Sequence, residues 1–245
     1  MKYAVLADIH ANLSALEAVL SDIEGQGGVD EVWCLGDIVG YGPDPQRCIE
    51  IVRDQCPDCV AGNHDWAAAG KIKTSLFNPE AASALDWTRS QLSQEDIRFL
   101  TDLPEVLERD RFTLVHGSPI SPIWEYVLSV WDAEASLKYF KTPYCLIGHS
   151  HLPLLFECSD TRTDCRLIDA EPGNDRQLGK KRLLINPGSV GQPRDHDPRA
   201  AYALLDTESG RVVWRRVKYD IAETQRRMSR FGLPEWLIQR LEEGR

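Results

Sequence analysis

Along the first 65 residues, short apolar runs that end in polar residues alternate with stretches of helical periodicity. "KYAVLADIH" (2–10) is nearly continuous in its apolar character, as expected of a strand buried on both faces. "NLSALEAVLSDIEGQGG" follows with apolar positions at helical spacing, Asn12 placed to cap its start and glycines to stop it. "EVWCLGD" predicts a second strand, "DPQRCIEIVRDQ" a helix with Pro45 near its first turn, and "DCVAGNHD" a third strand. Strand, helix, strand, helix, strand predicts a parallel sheet covered on both faces.

The middle of the chain is more helical. "NPEAASALDWTRSQLSQEDIRFLTDL" carries two helices, with Ser93 as the cap of the second. "RFTLVHGSP" and "YCLIGHSH" repeat the earlier form, an apolar strand running into Gly and His. "LPLLFEC", "CRLIDA", "RLLINPGS" and "AAYALLDTESGRVVWRRVKY" alternate with short turns and predict a second, more antiparallel sheet. "EPGNDRQLGKK" reads as an exposed loop, and "IAETQRRMSRFGLPEWLIQRLEE" as two short helices around Gly232 and Pro234. No repeat, linker or low-complexity tract interrupts the pattern, so a single domain over residues 1–245 is expected.

Composition narrows the function classes. A net charge of −10 disfavours a broad nucleic-acid footprint, because phosphate backbones are gripped by basic surfaces. It leaves room for a small, locally positive pocket. The seven cysteines lack framework spacing, which predicts free thiols in a reducing cytoplasm. Cys56-Pro-Asp-Cys59 resembles half a zinc ribbon, but no second pair follows it. No run approaches the ~20 apolar residues that span a bilayer, and Lys2 already begins a strand without a charged-then-apolar leader. A cytoplasmic protein is expected.

Candidate chemistry collects where the strands end. Asp8 and His10, Asp37, Asn63 with His64, His116, and His149 with His151 each sit where an apolar strand gives way to a loop. Of the six histidines, only His196 lies elsewhere. Each residue alone has a bland reading: Asp8 as a helix cap, Asp37 as a turn former, a histidine as a satisfied structural group. The same bland account would have to hold independently at five strand ends. In open α/β sheets ligands bind beyond the carboxyl ends of the strands, where residues far apart in sequence converge. Carboxylate and imidazole together suit a borderline divalent metal such as Mn, Fe or Zn.

The ordered series "DIH", "GDIVGYGPD", "GNHD", "HGSP", "GHSH" and "NPGS" resembles the calcineurin-like metallophosphoesterases, from Lys2 to about Asp206. The resemblance implies a four-layer α/β/β/α sandwich of two mixed sheets flanked by helices, with a two-metal site between the sheet ends. It implies that Asp8, His10, Asp37 and His151 hold a first ion, and Asp37, Asn63, His116 and His149 a second. Asp37 then bridges, and His64 faces substrate without being a ligand. Two divalent ions are expected, from Mn, Fe, Zn, Ni or Mg, with Mn favoured. Family members often have Gly where this chain has Ala11, a change that narrows the pocket but removes no ligand. The Asp-Arg-Gly of phosphoprotein phosphatases is missing after Asp37, and "GNHD" replaces their Gly-Asn-His-Glu. The chain therefore looks more like the small bacterial phosphodiesterase and phosphatase branch.

The chemistry explains the residue types. Two divalent ions about 3.5–4 Å apart can share one water, lower its pKa towards neutrality and clamp attacking and leaving oxygens. Asp8, Asp37 and one bridging hydroxide cancel three of the four metal charges. Neutral histidines and the Asn63 carbonyl add none, so one positive charge remains to attract phosphate; an aspartate at position 63 would cancel it. His64 is positioned to protonate or stabilise the leaving oxygen. Asp65 is either the hydrogen-bond partner of that imidazole or a helix N-cap, or both. Arg194 offers a planar fork to phosphate, or else pairs with Asp195 or Asp197. Tyr41, between Gly40 and Gly42, either leans over the pocket to stack on a base or aryl group, or packs the loop. Trp124 and Trp131 lie in a segment read as core or as a cap near the site, with a dimer face as the rival.

The expected function is hydrolysis of P–O bonds in a small phosphodiester or nucleotide by metal-bound hydroxide. The rivals are a phosphomonoesterase, a dinucleoside-polyphosphate hydrolase, and a non-catalytic scaffold of the same fold. The expected partner is a small phosphate ester; extended nucleic acid and membranes are not expected, and a homo-oligomer is open.

Overall fold

In the computed structural model, which describes residues 1–159, 164–173 and 175–245, two six-stranded mixed sheets pack face to face. The first sheet is seeded by three parallel strands, β1 (Lys2–Leu6), β2 (Glu31–Cys34) and β3 (Asp58–Cys59). They are joined through α1 (Leu13–Gly25) and α2 (Pro45–Gln55), as the periodicity predicts. Asn12 does cap α1, accepting a hydrogen bond from the Ala15 amide at 3.2 Å. α3 (Asn63–Ala69), α4 (Pro79–Gln91) and α5 (Gln94–Asp102) follow, the last capped by Ser93.

The second sheet holds β4 (Val106–Arg109), β5 (Phe112–Val115), β6 (Tyr144–Leu146), β7 (Pro153–Cys158), β8 (Cys165–Ile168) and β10 (Arg182–Pro187). Helix α6 (Val130–Ser136) lies between β5 and β6 in the chain. Strands β5, β6 and β10 run parallel to one another.

Two features of the sheets depart from the sequence reading. The hairpin β11 (Ala200–Asp206) and β12 (Arg211–Val217) joins the first sheet, with β11 antiparallel to β1. Alternation identifies which face of a strand is buried and says nothing of which strand it pairs with. Within "EPGNDRQLGKK", Asp175–Gln177 forms β9, an edge strand paired to β12; Asn174 lies outside the described residues. The chain closes with α7 (Ile221–Arg230) and α8 (Glu235–Glu243), separated at Gly232 and Pro234 as expected.

Strand alternation sorts the core into layers. Tyr3 and Val5 point between the sheets, where they meet Phe112, Leu146, Ile185 and Trp214. Ala4 and Leu6 point outward against Leu16 and Val19 of α1 and Ile49 of α2. On the far side, Ala133 of α6 covers Cys145, Phe156 and Leu184. Helix, sheet, sheet and helix make the four layers. Trp214 is fully buried between the sheets and its indole N–H donates to the Asn186 carbonyl at 2.8 Å. Trp214→Ala is expected to cost about 3–5 kcal/mol, more than a typical core truncation, and urea unfolding measures it directly.

Cysteine usage also differs from the expectation of free thiols. Cys158 and Cys165 form a disulfide across the β7–β8 pair, while the other five cysteines, Cys56 and Cys59 included, are free and buried. The bridge removes the cysteine pattern as an argument for a reducing compartment. Residues 160–163, which lie between the two strands in the chain, are outside the described residues. No helix among the described residues is long and apolar enough to cross a membrane.

Candidate metal centre

Each parallel strand delivers its carboxyl end to one edge of the sandwich. From the first sheet come Asp8 and His10 after β1, Asp37 after β2, and Asn63 and His64 after β3. From the second come His116 after β5 and both His149 and His151 after β6. All seven sequence-predicted ligands are buried together there.

The loops that carry them are held by bonds and strain. The Ser189 hydroxyl donates to the Asp8 carbonyl at 2.8 Å, and the Asn186 amide donates to the Gly148 carbonyl at 2.7 Å. The "NPGS" turn therefore ties the two sheets' strand ends together. Asp8, His10, Asp37, His149 and His151 all have φ between 48° and 64°, the left-handed region that non-glycine residues avoid. Such residues cost on the order of 1 kcal/mol or more each and gather at functional sites. Ala11, at φ 52°, shows why glycine would suit its position: the demand is on the backbone. Its methyl is buried away from the cavity and does not narrow it.

The ring nitrogens reveal what the centre is built to hold. His10 Nδ1 lies 3.1 Å from the Val39 carbonyl and His151 Nδ1 lies 2.5 Å from that of Gln192. A carbonyl only accepts, so each Nδ1 carries the proton and each Nε2 presents a lone pair. Those two Nε2 atoms face each other at 3.1 Å, with Asp8 Oδ1 3.4 Å from the His151 nitrogen and Asp37 Oδ2 3.6 Å from the His10 nitrogen. Burial holds both imidazoles well below their usual pKa, hence neutral. The two imidazole nitrogens face each other and the carboxylates with no N–H between them.

The second cluster repeats the design. His116 Nδ1 donates to the Leu35 carbonyl at 2.8 Å, and His149 Nε2 to that of Trp124 at 3.2 Å. His116 Nε2 then faces His149 Nδ1 at 3.1 Å, Asn63 Oδ1 at 3.3 Å and Asp37 Oδ2 at 3.3 Å. Burial lowers His149 to about 3, with His116 adding to the fall. Burial alone would lower His116 too, but Asp37 outweighs it and lifts the imidazole to about 9. The same acceptors that favour a proton on His116 favour any cation at that point. Asp37 stands between the two clusters, its Oδ2 within 3.6 Å of His10 and 3.3 Å of His116; it is held below the usual carboxylate range because the His116, His64 and His10 rings outweigh its burial. Burial, reinforced by Asp37, raises Asp8 to about 7 against the pull of His116.

These donor sets fit divalent ions. Three neutral imidazoles, His10, His149 and His151, face carboxylates with outer carbonyls fixing each ring, and His116 stands where Asp37 favours positive charge, a donor set suited to divalent ions.

The remaining predicted residues fall as follows. His64 lies against the centre, its amide donating to Asp37 Oδ1 at 2.9 Å and its Nδ1 buried without a partner. Burial lowers it to about 4. Distance alone would also admit its ring to a cluster with His10 and Asp37. A Cβ on Gly40 would collide with that ring, so glycine there makes room for it. Asp65 does not touch the imidazole. Its carboxylate accepts from the Gly62 and Val39 amides at 3.0 and 3.1 Å, which places it in the capping box of α3. Of the two readings of Asp65, the helix-start role is the one observed.

Arg194 lines the cavity and hydrogen-bonds Gln192 at 2.9 Å. Its expected rivals are engaged elsewhere, Asp195 with Arg216 and Asp197 with Arg199. Among the described residues, no carboxylate pairs with Arg194. Tyr41 is only 7% exposed, its ring tilted against His10 at 4.5 Å and His64 at 4.4 Å. It packs against both rings and forms part of the cavity wall. His196 is exposed, as expected. Trp124 is not core: it stands at the rim of a cavity of about 220 Å³ with Phe77, Tyr126 and Leu76. Phe77 and Tyr126 were not legible as site residues, because an aromatic in a loop gives the same signal as one in the core.

Comparison with known proteins identifies the family of this chain. The model of a calcineurin-like phosphoesterase superfamily domain matches residues 1–210. An uncharacterised protein of Methanocaldococcus jannaschii is 37% identical over 99% of this chain and 98% of its own length. The crystal structure of a metallophosphoesterase from Sphaerobacter thermophilus superposes with a TM-score of 0.91 at 45% identity, covering 100% of this chain and 99% of that one. A symmetrical bis(5'-nucleosyl)-tetraphosphatase of Shewanella baltica is 27% identical over 56% of this chain; the match spans only 50% of that enzyme. The chain belongs to the calcineurin-like phosphoesterase superfamily, a metal-dependent family.

Proposed function

We propose that the chain is a two-metal phosphoesterase that hydrolyses P–O bonds of a small phosphodiester or nucleotide, with manganese favoured. The observation that carries this reading is the pair of carboxylate–imidazole clusters between which Asp37 stands. Asp8, His10, Asp37 and His151 hold one ion, and Asp37, Asn63, His116 and His149 the other. When bound, such ions supply Lewis acidity and activate a water near neutral pH.

The chain's own groups do the rest. Arg194 receives a non-bridging phosphate oxygen from the cavity side, its guanidinium paired with no carboxylate among the described residues. His64 sits where it can hydrogen-bond or protonate the leaving oxygen, and Tyr41 and Gly40 hold its ring in place. Asp65 acts through position, since its carboxylate locks the Val39 and Gly62 amides that flank both Asp37 and Asn63.

Arg194→Ala is expected to raise KM roughly 10-fold or more, the worth of a charge-assisted hydrogen bond, without changing metal content. The loss is greater for dianionic monoesters than for monoanionic diesters, because a guanidinium gains more from the extra charge. Negligible, equal effects on both would return Arg194 to a structural role.

A second reading, a dinucleoside-polyphosphate hydrolase, is supported by the tetraphosphatase relatives, of which the match spans about half. A panel of phosphomonoesters, phosphodiesters and dinucleoside polyphosphates, assayed with each of Mn, Fe, Co, Ni, Zn and Mg, separates the two readings. Absence of turnover on every ester with every ion would overturn both and leave a non-catalytic module.

A further inference from the structure

The cavity is lopsided. Its floor is the cluster of metal-ligand candidates and one wall carries Arg194, but its outer rim is aromatic and apolar. Trp124 is 37% exposed and Leu76, beside it on the rim, 67% exposed. Neither contributes to the layered core, so burial does not explain them.

The aromatic rings form a chain leading out from the centre. The Phe77 centroid lies 5.0 Å from that of His64, edge to face, and 5.2 Å from that of Trp124 at a 52° tilt. Among the described residues no ring stacks in parallel on the Trp124 indole, which stays partly exposed. Tyr126 differs: its ring is stacked at 4.0 Å on His149, a ligand candidate, and so serves the centre. The Trp124 backbone is fixed to that centre, its carbonyl accepting from His149 Nε2 at 3.2 Å. The Trp124 backbone is thus held at a set place beside His149, and its side chain lines the same cavity as the ligand candidates and Arg194.

Resting on the phosphoesterase reading above, we propose that Trp124, backed by Phe77 and Leu76, is a stacking subsite for the base of a nucleoside phosphate substrate. A flat, apolar group attached to the phosphate through a short sugar is the chemistry that such a rim receives. Every base has a π-face, so stacking of this kind binds nucleotides without reading their sequence.

The test uses the manganese-loaded protein and two ligands with no cleavable ester bond, the methylene-phosphonate isosteres of AMP and of ribose 5-phosphate. Calorimetric titration is expected to give a Kd for the AMP isostere roughly 5- to 150-fold lower than for the base-free one. Trp124→Ala should erase that difference by weakening only the AMP isostere, and Trp124→Phe should keep most of it. Equal affinities in the wild type, or a difference that survives Trp124→Ala, would overturn the subsite while leaving the phosphoesterase reading intact. Binding of neither isostere would sink that reading and the subsite with it. If Trp124→Ala changed the sedimentation coefficient from dimer to monomer and left both affinities alone, the rim would be a subunit interface instead.

Discussion

Asp37→Ala is expected to emerge from purification with neither ion and without phosphoesterase turnover. Asp37 reaches both clusters, its Oδ2 lying 3.6 Å from His10 Nε2 and 3.3 Å from His116 Nε2. Removing it strips a charged acceptor from two sites at once. The loss should therefore exceed the ~10–100-fold that follows removal of an outer-shell partner of a metal ligand. Its Oδ1 also anchors the His64 amide at 2.9 Å, so the start of α3 loosens as well. Asp37→Asn separates these effects, because an amide oxygen still accepts from His64 while the charge is gone. Asp37→Asn should fold with the wild-type circular dichroism spectrum yet bind both ions weakly. His151→Ala removes a ligand from only one cluster and is expected to keep the second ion. Two ions per chain in Asp37→Ala would refute the bridging role.

The second large effect concerns His64, where mechanism and structure make separate claims. If its imidazole donates a proton to the departing oxygen, its worth depends on how badly that oxygen needs one. A nitrophenolate leaves unaided; a sugar or alkyl alkoxide does not. General acid catalysis contributes ~10²–10⁴-fold, so His64→Ala should lose about that much kcat on nucleotide or alkyl esters and less on nitrophenyl esters. Burial lowers His64 to about 4 in the protein alone, and the negative charge of a bound phosphate opposes that shift. Asp65 gives no help, since both its oxygens are taken by backbone amides. Equal loss on both ester types would make His64 a phosphate-binding group. A metal-free His64→Ala protein would make it a ligand, as its distance to His10 and Asp37 allows.

Much of the centre was legible because its design repeats. A polar residue that interrupts an apolar run is ambiguous once, but Asp8, Asp37, Asn63, His116 and His149 do it at five strand ends. The helices were legible from period and caps, as Asn12 and Ser93 show. Sheet membership was not, because β11 alternates in the same way whether it pairs with β1 or with β10. The Cys158–Cys165 bridge required the β7–β8 register, which no cysteine count contains. The packing of Tyr41 against the site was not legible, because its neighbours in space, His10 and His64, are far from it in the chain. The left-handed backbone at Asp8, His10 and Asp37 leaves no trace in residue type, since aspartate and histidine are chosen there for their side chains. The tautomers were hidden for a related reason. They are set by the Leu35, Val39, Trp124 and Gln192 carbonyls, groups that every residue has.

The central claim is that two cations share Asp37, one in each acceptor cluster. Anomalous diffraction from a crystal of the manganese-loaded protein tests it most directly. Two peaks are predicted, one among Asp8, His10, Asp37 and His151 and one among Asp37, Asn63, His116 and His149, with His64 bonded to neither. A single peak, or a peak coordinated by His64, would contradict the account.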